Sequence, residues 1–167
     1  DESTREGESP SVYVRRLAEC KARAVGLQAP TDAIIIAADT TVVDDDEILG
    51  KPVDAADAER MLSQLRAHSH QVFSALAVMR VADKELRVDY CVTDVPMRHY
   101  ADAEIQTYIA SGDPMDKAGA YAIQHAGFHP VDQLTGCYAN VVGLPLCHLT
   151  RALHTVKMNS PVDVPAI

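Results

Sequence analysis

Asp39 and Lys51 stand in the segment IIIAADTTVVDDDEILGKP, residues 34 to 52, where an apolar run ends abruptly in Asp39-Thr40 and a Gly50-Lys51-Pro52 turn follows. A strand that delivers a carboxylate and then a lysine suits polyphosphate chemistry, because lysine supplies compact positive charge against phosphate oxygens. The run Ala33 to Ala38 is continuous and β-branched, the pattern of a strand covered on both faces, and such strands present functional groups at their carboxyl ends. Asp39 is expected at that end. Both residues also have plainer readings, Asp39 as a strand-ending turn residue and Lys51 as a solvated lysine in a loop stiffened by its glycine and proline neighbours.

Other residues invite the same question. Lys21 falls inside the apolar stripe Val14, Leu17, Ala18, Ala22 and Val25, so its stem should lie against the core while its ammonium reaches a polar cleft or the boundary. His68 and His70, two apart at a strand start, could share a metal on one face, but no third ligand is signalled nearby and ordinary hydrogen-bonding histidines are the simpler reading. In DPMDKAGAYAIQ, residues 113 to 124, acidic, basic, small and amide groups alternate, and Gly119 permits close backbone approach, as a nucleotide-sensing loop or a structured Ω-type loop would require. Neither GxxxxGK[ST] nor GxGxxG occurs, which argues against a P-loop NTPase or a Rossmann dehydrogenase.

The 167 residues give room for one domain with a substantial core, and no apolar stretch is long enough to span a membrane. A formal charge of −9, with 15 Lys and Arg in no dense stripe, opposes binding to a nucleic-acid polymer. A small anion remains compatible, since a few local cations can dominate one cleft. The acidic, polar opening DESTREGE lacks the character of a signal peptide, so the cytoplasm is the expected location. Cys20, Cys91, Cys137 and Cys147 form no CxxC pair and are expected to be reduced.

The elements that must position these groups follow from local signals. Ser9-Pro10 starts a helix that Gly26 stops. After the strand at 33 to 38 come an extended piece at 41 to 43, an acidic turn at Asp44-Asp45-Asp46, and the GKP loop, a hairpin-like excursion. Asp54 caps a helix through Met61, Leu62 and Leu65, with Asp57 in a capping-box-like position. Extended segments follow near 70 to 81 and 86 to 97, then a helix around 102 to 110 ending at Ser111-Gly112. A short helix or turn is expected near 117 to 122, a strand near 128 to 134, packing by the Tyr138 to Leu146 stretch, and a last helix from Pro145. Residues 1–157 are expected to form the domain and 158–167 a flexible tail.

In order and spacing these segments resemble the Maf family of nucleoside triphosphate pyrophosphatases. The resemblance runs through Asp1-Glu2, Tyr13 to Ala18, Lys21-Ala22, Ala38-Asp39-Thr40, Gly50-Lys51-Pro52, His70-Gln71-Val72, DKAGAY at 116 to 121 with Ile123-Gln124, and NVVGLPL at 140 to 146. It implies hydrolysis between the α- and β-phosphates of a nucleoside triphosphate, assisted by Mg²⁺ or Mn²⁺. It also implies Asp39 as proton acceptor, Glu2, Lys21 and Lys51 as further catalytic residues, Glu2 and Asp39 as metal ligands, and Lys117 as a substrate contact. Thr40 and Gln124 match the branch acting on dTTP and UTP, where the 7-methyl-GTP branch has Gln and Glu. An amide can both donate to and accept from a pyrimidine edge.

Two departures accompany the match. The sequence opens beyond the family's first strand and its Ser-x-x-Arg segment, and Arg66-Ala67-His68-Ser69 and Ser74-Ala75 replace a Ser-Gly-Arg-like turn and Thr-Gly. The alternatives implied are a catalytically inactive nucleotide-binding or division-regulating module, and a 7-methyl-GTP pyrophosphatase. The fold expected is a single α/β domain with a central mixed, twisted sheet and flanking helices, in two lobes around a cleft, like the Maf and inosine-triphosphatase folds. A homodimer is a further implication of the family.

Overall fold

Ser9 and Pro10 open the first helix, α1 (Pro10–Gly26), where proline's fixed φ and missing N–H cost nothing. The computed structural model describes residues 2–156, so the expected tail at 158–167 lies outside the described residues. Val14, Leu17, Ala18 and Ala22 are buried as the stripe predicts, whereas Val25 is 55% exposed. Gly26 is the last residue of the helix, and it lies against the flexible end of Met79, 2.0 Å from where a Cβ would stand.

The chain then runs through β1 (Ile34–Asp44), β2 (Glu47–Leu49), α2 (Ala55–Leu65), β3 (Ser69–Arg80), β4 (Leu86–Pro96) and α3 (Asp102–Ala110). Two 3₁₀ turns follow, Asp113–Asp116 and Ala118–Ala120, then α4 (Tyr138–Val142) and α5 (Leu146–Thr155). Asp54 Oδ1 accepts the Asp57 backbone N–H at 2.8 Å, the expected cap of α2, while Asp57 reaches back to the N–H of Val53. Asp45 and Asp46 both take positive φ, as a two-residue hairpin turn between β1 and β2 demands.

The four strands lie in the order β2-β1-β3-β4. Each of the three pairings is antiparallel, so among the described residues the sheet is not mixed. On one face Val14, Ala18 and Ala22 of α1 pack against Ile35, Ala75 and Ala77. Small residues on both sides let the helix approach the sheet closely. On the other face Leu76 and Val78 meet Ala152 and Val156 around α5. A third cluster, with Leu62, Leu65, Val72, Tyr100 and Ile105, joins α2 and α3 to the far end of the sheet.

Three expectations need correction. The pieces at 33 to 38 and 41 to 43 are one eleven-residue strand, with Asp39 opposite Ala75 in its middle rather than at its carboxyl end. Nor is that strand covered on both faces, since Ile36 is 47% exposed. Near 128 to 134 the described structure has only an isolated bridge between Val131 and Met97, in a segment that Pro130 interrupts.

Candidate active site

β2 is short, and this decides what β1 can offer. Pairing between them covers only Val42 to Asp44, and among the described residues no strand pairs with β1 on that side from Ile34 to Thr41. Successive side chains of a strand point to opposite faces, so along such an edge a single cavity can be reached from both. A cavity of about 560 Å³ lies there. Asp39 enters it from the α1 side and Thr40 from the α4 side.

Lys21 Nζ lies 2.6 Å from Asp39 Oδ1 and 3.1 Å from Glu2 Oε1. Burial of Asp39 pushes its pKa above the ordinary 3.8, against the opposing hydrogen bond and charge of Lys21. Glu2 moves the other way, lowered chiefly by its bond to Lys21. Burial disfavours the charged ammonium of Lys21, but its bonds to Asp39 and Glu2 outweigh that and raise its pKa. Glu2 and Lys21 are each shifted toward their charged forms, while burial works against the charge on Asp39. Lys51 adds charge that is felt at both carboxylates.

Lys117 is held by Asp113 and Asp116, with Nζ 2.8 Å from the Asp113 carbonyl and 2.7 Å from Asp116 Oδ1. Glu2, Lys21, Asp39, Thr40, Lys51, Lys117 and Gln124 all line the one cavity. Gly119 stitches its walls together: its N–H donates to the Gly50 carbonyl at 3.0 Å, and at φ +66° it lies so near Val42 that a Cβ would stand 2.8 Å from Cγ2. The close approach that glycine permits is thus to β1, and it brings the 117 to 124 loop beside Lys51.

His68 and His70 do not meet at a metal. His68 Nε2 bonds Asp44 Oδ1 at 2.7 Å, and the buried His70 Nε2 bonds the Tyr121 hydroxyl at 2.8 Å. All four cysteines are unpaired thiols.

Tyr13 was not singled out by sequence. Its hydroxyl donates to the Glu2 carbonyl at 2.9 Å, and Arg16 donates to the Ser3 carbonyl while pairing with Glu8 at 2.6 Å. These bonds fold the N-terminal segment back along α1 and carry Glu2 to Lys21. The signal available was spacing, since Tyr13, Leu17 and Lys21 recur at i, i+4 on one helical face and all line the cavity.

Glu2 and Asp39 approach one ammonium from two sides, so a pair of hard oxygen donors already converges on a cation. No group of three or more His, Cys, Asp or Glu among the described residues could hold a metal ion by itself. That donor set fits Mg²⁺ or Mn²⁺ bound through one or two carboxylates plus substrate phosphates.

A profile described as "Maf-like protein" matches residues 1–156. The chain belongs to the Maf family. A protein of Geobacter sp. (strain M21) named dTTP/UTP pyrophosphatase is 46% identical over 150 residues, 90% of this chain and 77% of that protein. Proteins with the same name from Dictyoglomus thermophilum and Dehalococcoides mccartyi (strain ATCC BAA-2100) are 45% and 42% identical. Their alignments cover 92% and 90% of this chain, and 79% and 67% of theirs. No helix among the described residues is long and apolar enough to cross a membrane.

Proposed function

We propose that this Maf chain hydrolyses dTTP and UTP to the nucleoside monophosphate and pyrophosphate. The observation that carries the reading is the convergence of Asp39, Lys21 and Lys51 in one cavity beside β1, in a chain similar over most of its length to proteins named dTTP/UTP pyrophosphatase.

In this reading Asp39 accepts a proton from the attacking water. A carboxylate whose pKa burial has raised is a better base than an ordinary one. Lys21 holds Asp39 in place and, with Lys51 and Lys117, offers charge to the triphosphate as negative charge moves onto the departing pyrophosphate. Glu2 and Asp39 would hold Mg²⁺ or Mn²⁺, which when bound neutralises phosphate charge and polarises the phosphoryl oxygens. Thr40 and Gln124 face the same cavity and would read the base.

The test is chromatographic product analysis with Mg²⁺ or Mn²⁺ and a panel of dTTP, UTP, CTP, GTP and 7-methyl-GTP. Monophosphate and pyrophosphate from dTTP and UTP are expected, with Asp39→Asn abolishing turnover while nucleotide still binds. Release of orthophosphate, or turnover unaffected by Asp39→Asn, would overturn the reading. Gln124→Glu is expected to shift preference toward 7-methyl-GTP; an unchanged substrate ranking would remove Gln124 as a selector.

A further inference from the structure

Thr40 Oγ1 lies 2.7 Å from Ser74 Oγ, directly across the β1–β3 pairing, and Ser74 Oγ lies 2.8 Å from the carbonyl oxygen of Asn140. A hydroxyl has one proton to give, and a carbonyl has none. The proton of Ser74 is therefore committed to Asn140, and the contact with Thr40 can be made only by the proton of Thr40. With that proton spent, Thr40 turns lone pairs alone toward the cavity it lines.

The relay is anchored and open at the right ends. Ser74 and Asn140 are both fully buried. The Asn140 amide donates to the Val72 carbonyl and to Thr93 Oγ1, each at 3.0 Å, which fixes α4 and its carbonyl over β3. At the cavity end stands Gly143, with φ +116°, where a Cβ would come within 3.2 Å of Thr40 Oγ1. Glycine leaves that oxygen uncovered.

We propose that Ser74 and Asn140 are positioning residues that make Thr40 an obligate hydrogen-bond acceptor, so that the cavity selects bases presenting an imide N–H, uracil and thymine, and rejects cytosine. This rests on the reading of the cavity as a triphosphate site. Uracil and cytosine are alike in size and carry the same sugar and phosphates, so shape cannot separate them. Polarity can: N3 is a donor in uracil and thymine and an acceptor in cytosine. An acceptor facing an acceptor leaves both unsatisfied, whereas a donor completes the chain from base to Asn140.

The test uses calorimetric binding of the α,β-methylene analogues of UTP and CTP, which resist cleavage, alongside kcat/KM for UTP. The full chain is expected to prefer the UTP analogue by about tenfold or more, the scale of one mismatched polar contact. In Ser74→Ala the Thr40 hydroxyl is released to donate, so the preference should fall by about tenfold, chiefly through tighter binding of the CTP analogue. Thr40→Val should lose the preference and Thr40→Ser keep it, a pair that tests the acceptor end of the relay even if Ser74→Ala fails to fold; a preference retained in Thr40→Val would overturn the proposal. Equal weakening of both analogues in Ser74→Ala, or equal binding of both by the unaltered chain, would overturn the proposal. Absence of UTP turnover with the binding preference intact would count against the hydrolytic reading and leave the selector standing.

Discussion

The ammonium of Lys21 stands 2.6 Å from Asp39 Oδ1, so the protonation of the carboxylate and the placement of the lysine are tied. Burial raises the pKa of Asp39 above 3.8 and Lys21 pulls it back. A base must be ionised, so the acid limb of kcat should lie above 3.8, and removing Lys21 should move it higher still. Lys21→Met is also expected to lower kcat near pH 8 by about a hundredfold, the order seen when one preorganised charge-stabilising group is lost. Superimposable acid limbs for the two proteins in pH–rate profiles would show that Asp39 is not the titrating base.

Tyr13 reaches Glu2 by a single hydrogen bond from hydroxyl to carbonyl. Losing one such bond costs about 1 kcal/mol, so Tyr13→Phe should reduce kcat/KM about fivefold without unfolding the protein. The loss should vanish in a Glu2→Gln background, because the phenol acts only through the carboxylate it delivers. Steady-state kinetics on the two single variants and the double variant give the coupling. Full additivity would mean that Tyr13 touches the substrate by another route.

Gly119 has no room for a side chain and a φ that side chains resist. Gly119→Ala is expected to destabilise the fold by about 1–3 kcal/mol in urea titration, the cost of forcing a methyl group into a filled space. Val42→Ala should restore part of that loss, since Val42 supplies the three atoms the new methyl would strike. No restoration would assign the cost to the backbone angle instead.

Much of this fold is legible where its determinants are local. Proline at Pro10 and the cap at Asp54 place α1 and α2, and the extended segments near 70 to 81 and 86 to 97 correspond to β3 and β4. The continuity of β1 through Asp39 and Thr40 is not legible, because two polar residues inside an apolar run look like its end. Here they are tolerated by ten residue pairings to β3 and by the cavity that both residues line. The helix α4, only five residues long, is invisible for a related reason, being held by contacts that Asn140 makes to residues 47 and 68 positions away. The seven expected site residues do share one cavity, yet the roles of Tyr13, Ser74 and Asn140 emerge from tertiary hydrogen bonds and that of Gly143 from its close approach to Thr40.

The two histidines at the start of β3 give stability an unusual pH dependence. His70 is buried, and burial lowers its pKa from 6.5 to about 4, so the folded protein keeps it neutral while the unfolded chain protonates. Its contribution is complete above pH 6.5 and is lost as pH falls toward 4, by about 3 kcal/mol at 1.36 kcal/mol per pH unit. His68 behaves oppositely. Its bond to Asp44 raises its pKa above 6.5, so its contribution is fully present below 6.5 and disappears as pH rises through the folded value. Urea unfolding measured in half-unit steps from pH 4 to 8.5 should therefore show a maximum near 6.5. His70→Gln should flatten the acid side, and His68→Gln the alkaline side, whatever either substitution does to absolute stability. An acid limb unchanged in His70→Gln would mean that the buried imidazole is not the group that acid protonates on unfolding.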